Sequence, residues 1–206
     1  MVTVFTVITL KLEKSNFIDM NDNQTLRMMV MASLFAALIA VGALVAVPIG
    51  PVPIYLANFF VMLAALVLGP RWGLAAVGTY LLAGALGLPV FSGGSGGIGR
   101  FWGPTGGYLL AYLPGVYLGG LVSNRIRPSV RMDIIALLLT TAIIYALGVP
   151  WLKVITQMSW QKSVALGMLP FLIGDGIKMA AAISVARMVR PLVGMGDGVS
   201  SSVPIV

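Results

Sequence analysis

The sequence predicts an all-α membrane protein with six transmembrane helices, and three observations carry the prediction. Of 206 residues, 59% are hydrophobic and 9% charged, with a mean hydropathy of +1.00; a soluble domain carries about 25% charged residues. Apolar runs with few or no charges recur six times along the chain. The third observation is a break in that pattern: Pro89 to Tyr108 reads PVFSGGSGGIGRFWGPTGGY, with eight glycines between Gly93 and Gly107. Such a segment cannot span lipid alone, because its N–H and C=O groups would go unsatisfied in hydrocarbon. It must lie at a mouth or line a polar cavity, and glycine lets backbone come close to a ligand.

Composition also excludes chemistry. The chain has no cysteine and no histidine, so metal sites built on them, thiol nucleophiles and histidine bases are absent, and neither a metal nor a cofactor is expected. The net charge of +7 points to the positive-inside rule and anionic lipid headgroups, not to nucleic acid.

Residues 1–27 begin apolar and turn polar, with the positive charges after the apolar run, the reverse of a signal peptide. They are expected to form a weakly ordered cytoplasmic extension, with Met20 and Met28 as alternative starts. Met28 to Val47 is twenty residues without a charge, enough to cross about 30 Å of hydrocarbon. Within this first span Ala32, Ala36 and Ala40 form a small-xxx-small line that lets another helix approach closely. That helix could belong to the same bundle or to a partner subunit. Three prolines and a glycine in residues 48–53 end the span. The second span is Ile54 to Gly69, with Asn58 as its one amide, either an interhelical hydrogen bond or a ligand contact. Pro70-Arg71 is a tight turn, and Trp72 to Leu88 is the third span. After the glycine-rich stretch come a fourth span, Thr105 to Ser123, a basic loop, Asn124 to Arg131, and a fifth span, Ile134 to Val149. Residues 150–162 are mixed and place Trp151 and Trp160 at headgroup level, with a short surface-lying helix expected there. Ser163 to Val189 is the sixth span. The domain plan is therefore a cytoplasmic extension (1–27), a six-helix transmembrane substrate-binding domain (28–190) and a disordered cytoplasmic tail (191–206).

Six spans put both termini on one side. That side collects nine basic residues, from Lys11 and Lys14 to Arg187 and Arg190, whereas the other holds Arg100, Lys153 and Lys162. Both termini are therefore expected to be cytoplasmic and the glycine-rich loop to face outward.

Asp175 and Lys178 remain, inside the sixth span. An ionisable residue at that depth costs about 2.5–3.5 kcal/mol on insertion scales, so two of them need a reason. At i and i+3 they share a helix face, acid before base. They either satisfy each other or grip a polar ligand in an outward-facing cavity. Asp175 would then accept from ligand N–H groups and Lys178 would meet an anionic or carbonyl group. Arg100, the one charge in the glycine loop, can fork onto a carboxylate or stay solvated. Tyr80, Phe91, Phe101, Trp102, Tyr108 and Tyr112 could wall the apolar body of a ligand. The run Gly94-Ser95-Gly96-Gly97-Ile98-Gly99 formally matches G-x-G-x-x-G. It lacks the strand, helix and acid of a dinucleotide site, and no P-loop is present for ATP hydrolysis.

The segments GLPVFSGGSGGIG (Gly87–Gly99), GPTGGYLLAY (Gly103–Tyr112) and PFLIGDGIKM (Pro170–Met179) closely resemble the BioY family. BioY proteins are the biotin-binding S components of energy-coupling factor (ECF) transporters. The likeness runs from about Leu26 to Val189. It implies the six-helix S-component fold, capture of biotin from outside, and partnership with a transmembrane coupling protein and two cytoplasmic ATPases, which alone use ATP. It implies ligand contacts from Asp175 and Lys178 and from the loop around Gly94, Ser95, Gly96 and Gly97, with Tyr108 in the wall and an arginine that Arg100 could supply. The alanines at 32, 36 and 40 resemble the pattern with which the first helix docks the coupling protein. The chain is then no enzyme. An S component for another vitamin and a stand-alone secondary transporter are the competing readings.

Overall fold

The computed structural model describes residues 2–47, 54–124 and 129–193, with side chains from residue 22 onward except at 46, 47 and 54. The expected proline-rich loop at 48–53, residues 125–128 of the basic loop and the tail 194–206 lie outside the described residues.

Helix α1 is Val2–Leu44, so the segment expected as a weakly ordered extension is helical and continuous with the first span. Its buried stripe is Ala32, Phe35, Ala36, Ile39 and Ala43, the spacing that keeps one helix face inward. The opposite face, with Met29, Val30, Leu34 and Val41, is exposed and equally apolar, as a lipid-facing surface must be. Ala32 and Ala36 are buried in the core and half-buried Ala40 packs against it, so within this chain the small residues serve helix packing.

A two-residue antiparallel ladder, β1 (Ala46–Val47) with β2 (Ile54–Tyr55), links α1 to α2, Ala57–Ala85. Helix α2 packs against α1, α3 (Gly106–Asn124) and α6 (Leu169–Val193) and supplies much of the fully buried core, including Val61, Met62, Leu66, Leu68 and Val77. It is also broken. Gly69 has φ +70° and ψ −168°, a conformation open to glycine and strained for any L side chain. A Cβ there would lie 2.3 Å from Asn124 Nδ2. The expected second and third spans are thus the two halves of α2, meeting where the Pro70-Arg71 turn was expected. Pro70 has no N–H to offer the Leu66 carbonyl one turn back. Arg190 Nε donates to that carbonyl instead, at 2.9 Å, since a buried carbonyl left unpaired is costly.

The same guanidinium forks onto Asp133, Nη1 to Oδ2 at 3.0 Å and Nη2 to Oδ1 at 2.8 Å, and Nη2 also reaches Ser123 Oγ at 2.7 Å. One side chain on α6 (Leu169–Val193) therefore joins the break in α2, the end of α3 (Gly106–Asn124) and the first turn of α4 (Val130–Thr156). Nearby, Arg27 donates to the Leu192 carbonyl, which brings α1 to the same end of the bundle.

Helices α3 and α4 approach closely through glycine. A Cβ on Gly119 would lie 2.0 Å from Thr140 Oγ1, which itself donates to the Gly115 carbonyl at 3.1 Å. Helix α4 starts at Ser129, whose side chain accepts from Met132 N, and runs on through Pro150. The expected loop from residue 150 therefore shrinks to Gln157–Ser159, with left-handed Gln157 ending the helix. A short helix, α5, does follow, capped by Ser159, but at Trp160–Gly167 it overlaps the expected stretch only at residues 160–162 and takes in the start of the expected sixth span, which breaks at Met168 before α6.

The described residues are thus almost wholly helical. Four stretches are long and apolar enough to cross a membrane: Asp22–Leu44, Ala57–Ala85, Val130–Thr156 and Trp160–Val193. Helix α3, the expected fourth span, is shorter, at 19 residues.

Candidate functional site

A cavity of about 460 Å³ opens among α2, α3, α4 and α6 beneath the glycine-rich loop. Asp175 and Lys178 line it, together with Ser95, Arg100 and Tyr108. Gly94, Gly96 and Gly97, expected to offer backbone to a ligand, are not in its wall. They shape the loop: a Cβ on Gly96 would lie 2.2 Å from the Leu88 carbonyl, and Gly97 N donates to the Gly84 carbonyl at 2.7 Å.

The loop is anchored by Phe91, buried edge-on between Tyr80 and Phe101 with ring centroids 5.5 and 5.6 Å apart. Its ring occupies the space that a Cβ on Gly84 would need, 2.1 Å away. Trp151 Nε1 donates to the Gly103 carbonyl at 3.0 Å, and Trp102 lies beside it at 6.3 Å. Of the aromatics expected in the wall, Tyr80, Phe91, Tyr108 and Tyr112 line the cavity; Phe101 packs behind and Trp102 is 70% exposed.

Asp175 (3% exposed) and Lys178 (7%) pair at 3.3 Å. The acid is also held from two other helices: Asn58 Nδ2 donates to Oδ1 at 3.1 Å, and the Tyr145 hydroxyl donates to Oδ2. The two groups therefore satisfy each other and also line the hollow. The ammonium spends one donor on Asp175 and retains others for the cavity. Asn58 is an interhelical hydrogen-bond donor in a residue that also lines the cavity. Tyr145 was not anticipated. A lone tyrosine in an apolar span gives no sign of a partner thirty residues away on another helix.

Arg100 sits exposed at the mouth, and among the described residues no hydrogen bond or ion pair holds its guanidinium. Tyr108 stands in a slot between glycines. Its hydroxyl donates to the Gly167 carbonyl at 2.9 Å, and its ring lies 2.3 Å from where a Gly148 Cβ would be. Alanine at 148 has no room unless the ring swings into the cavity. Gly148→Ala is therefore expected to weaken ligand binding by about tenfold or more, at an overpacking cost of about 1–3 kcal/mol. Titration and thermal unfolding of the purified variant check the two effects.

The family model described as BioY family matches residues 15–195. The chain belongs to the BioY family. A "Probable biotin transporter BioY" of Pyrococcus horikoshii is 41% identical over 160 residues, 78% of this chain and 94% of the relative. The "Biotin transporter BioY" of Thermotoga maritima is 40% identical over 167 residues, 81% of this chain and 98% of the relative. Among solved structures, a crystal structure of the S-component for biotin from an ECF-type ABC transporter superimposes with a TM-score of 0.74 at 33% identity. It covers 82% of this chain and 93% of that one. The BioY match takes in the whole cavity wall and the Arg190 cluster, so the site belongs to the matched region.

Proposed function

We propose that this chain is the biotin-capture S component of an ECF vitamin importer. It takes biotin from outside and delivers it across the membrane with a transmembrane coupling protein and two ATPases. One observation carries the reading: a buried acid–base pair lines an open-mouthed cavity in a chain of the BioY family. A volume of about 460 Å³ lies within the roughly 300–1,000 Å³ of small-molecule sites. Biotin presents a ureido ring, a thioether ring and a carboxylate on an apolar tail. The polar ring meets the Asp175–Lys178 end, the aromatics take the apolar body, and Arg100 at the mouth forks onto the carboxylate.

The chain crosses the membrane six times when the halves of α2 on either side of Gly69 and the shorter α3 each count as a span. Both termini then lie in the cytoplasm beside the Arg27 and Arg190 contacts, with the glycine loop outside. Asp175, Lys178, Arg100, Ser95 and Tyr108 are the proposed ligand residues, and catalysis is left to the partner ATPases.

The test is isothermal titration of purified protein with biotin and with a panel of other vitamins. Biotin should bind far more tightly than the rest, and Arg100→Gln should weaken it by about tenfold, since hydrogen bonds to a charged group contribute about 1.5–3 kcal/mol. Tighter binding of another vitamin would replace biotin, and no loss in Arg100→Gln would remove the arginine from the site.

A further inference from the structure

The hydrogen bonds at the cavity are unevenly distributed among its tyrosines. Tyr145 donates to Asp175 and Tyr108 to the Gly167 carbonyl. Tyr80 on α2 and Tyr112 on α3 also line the cavity, yet among the described residues neither hydroxyl has a hydrogen-bond partner. Tyr80 is only 2% exposed and Tyr112 is packed against the core. Neither hydroxyl is sealed inside protein: among the described residues, the buried side-chain atoms without a partner are Asn58 Oδ1 and Thr141 Oγ1. Among the described residues the Tyr55 hydroxyl has no partner either, but Tyr55 lies two residues from Pro53, outside the described residues. Buried tyrosines usually satisfy the hydroxyl, and a side chain needed only for packing would fill the same space as phenylalanine.

Asp175, meanwhile, is heavily committed. Oδ1 accepts from Asn58 and Lys178, and Oδ2 accepts from Tyr145. Little acceptor capacity is left for a ligand that brings two ring N–H groups and a carbonyl. A phenol hydroxyl both donates and accepts, so it can serve either.

We propose that the hydroxyls of Tyr80 and Tyr112 are specificity-determining ligand contacts that hydrogen-bond the polar ring of the captured molecule, sharing with Lys178 a task that Asp175 cannot carry alone. The inference rests on the reading of the site as a biotin site. It predicts an unusual pair of effects. Removing a hydroxyl that has no partner in the protein leaves the ligand-free fold no less stable, whereas it deprives the bound ligand of a hydrogen bond. Tyr145→Phe, by contrast, breaks a bond within the protein and lowers both.

The experiment titrates the wild type, Tyr80→Phe and Tyr112→Phe with biotin and two analogues, and records thermal unfolding without ligand. The analogues are iminobiotin, in which C=NH replaces the ureido C=O, and biotin amide, in which the tail carboxylate is neutralised. Each variant should bind biotin roughly tenfold more weakly, with ligand-free unfolding at or above the wild-type temperature. Their preference for biotin over iminobiotin should narrow, and the penalty for biotin amide should match the wild type. Unchanged biotin affinity in both variants overturns the proposal, as does a fall in ligand-free stability that parallels the loss of affinity. Failure of the wild type to bind biotin is a different result and overturns the reading of the site itself.

Discussion

Asp175→Ala should abolish high-affinity capture and destabilise the ligand-free protein by about 3–5 kcal/mol, the cost of breaking a buried ion pair from one side. The size follows from what the carboxylate holds. Its loss strands the Lys178 ammonium, which has no other anion among the described residues, and frees the Asn58 amide and Tyr145 hydroxyl. Three elements, α2, α4 and α6, then lose their common point at the depth of the cavity. Thermal unfolding in detergent and biotin titration report the two losses separately. The double variant Asp175→Asn/Lys178→Met distinguishes the pair from its parts. With both charges gone the uncompensated ion disappears, so stability should recover relative to Asp175→Asn alone, while binding should not. A double variant no more stable than Asp175→Asn would show that the two charges do not act as a unit.

The second large effect lies at the opposite end of the bundle. Arg190→Met should destabilise the fold by about 3–5 kcal/mol, because it leaves the buried Asp133 carboxylate without its counter-ion and the Leu66 carbonyl without a donor. Biotin affinity of the protein that remains folded should change much less than in Asp175→Ala. Residues 175 and 190 are fifteen apart, about 22 Å along a helix. Lysine at 190 should rescue only in part: its single ammonium cannot fork onto Asp133 and reach Leu66 together. Unfolding temperatures of the methionine and lysine variants, measured beside biotin titrations, check this ordering. Full stability in Arg190→Lys would show that charge alone suffices.

The sequence discloses some of these arrangements and not others, for physical reasons. The Asp175–Lys178 pair was legible because charge in an apolar span is costly and the spacing fixes a shared face. The glycine-rich loop was legible as something that cannot cross lipid, but not which of its residues face the hollow. The close approach of the Leu88 carbonyl to Gly96 and of the Phe101 carbonyl to Gly106 explains two of its glycines, and those approaches exist only once the loop is folded. The Gly69 break was readable as a turn from Pro70; its repair by Arg190 was not, since the residues are far apart in the chain. The alanine line on α1 shows the limit of spacing arguments. A four-residue repeat marks one face of a helix, and only packing tells whether that face looks inward or outward. The interior partners of Asp175 needed three helices to be assembled before they could be named.

The two tryptophans against the glycine-rich loop give the molecule an optical handle of its own. Trp151 is tethered to the backbone at Gly103 and Trp102 stands exposed beside it. Any displacement of that segment changes the surroundings of both indoles, so intrinsic fluorescence reports movement at Gly103 without an added dye.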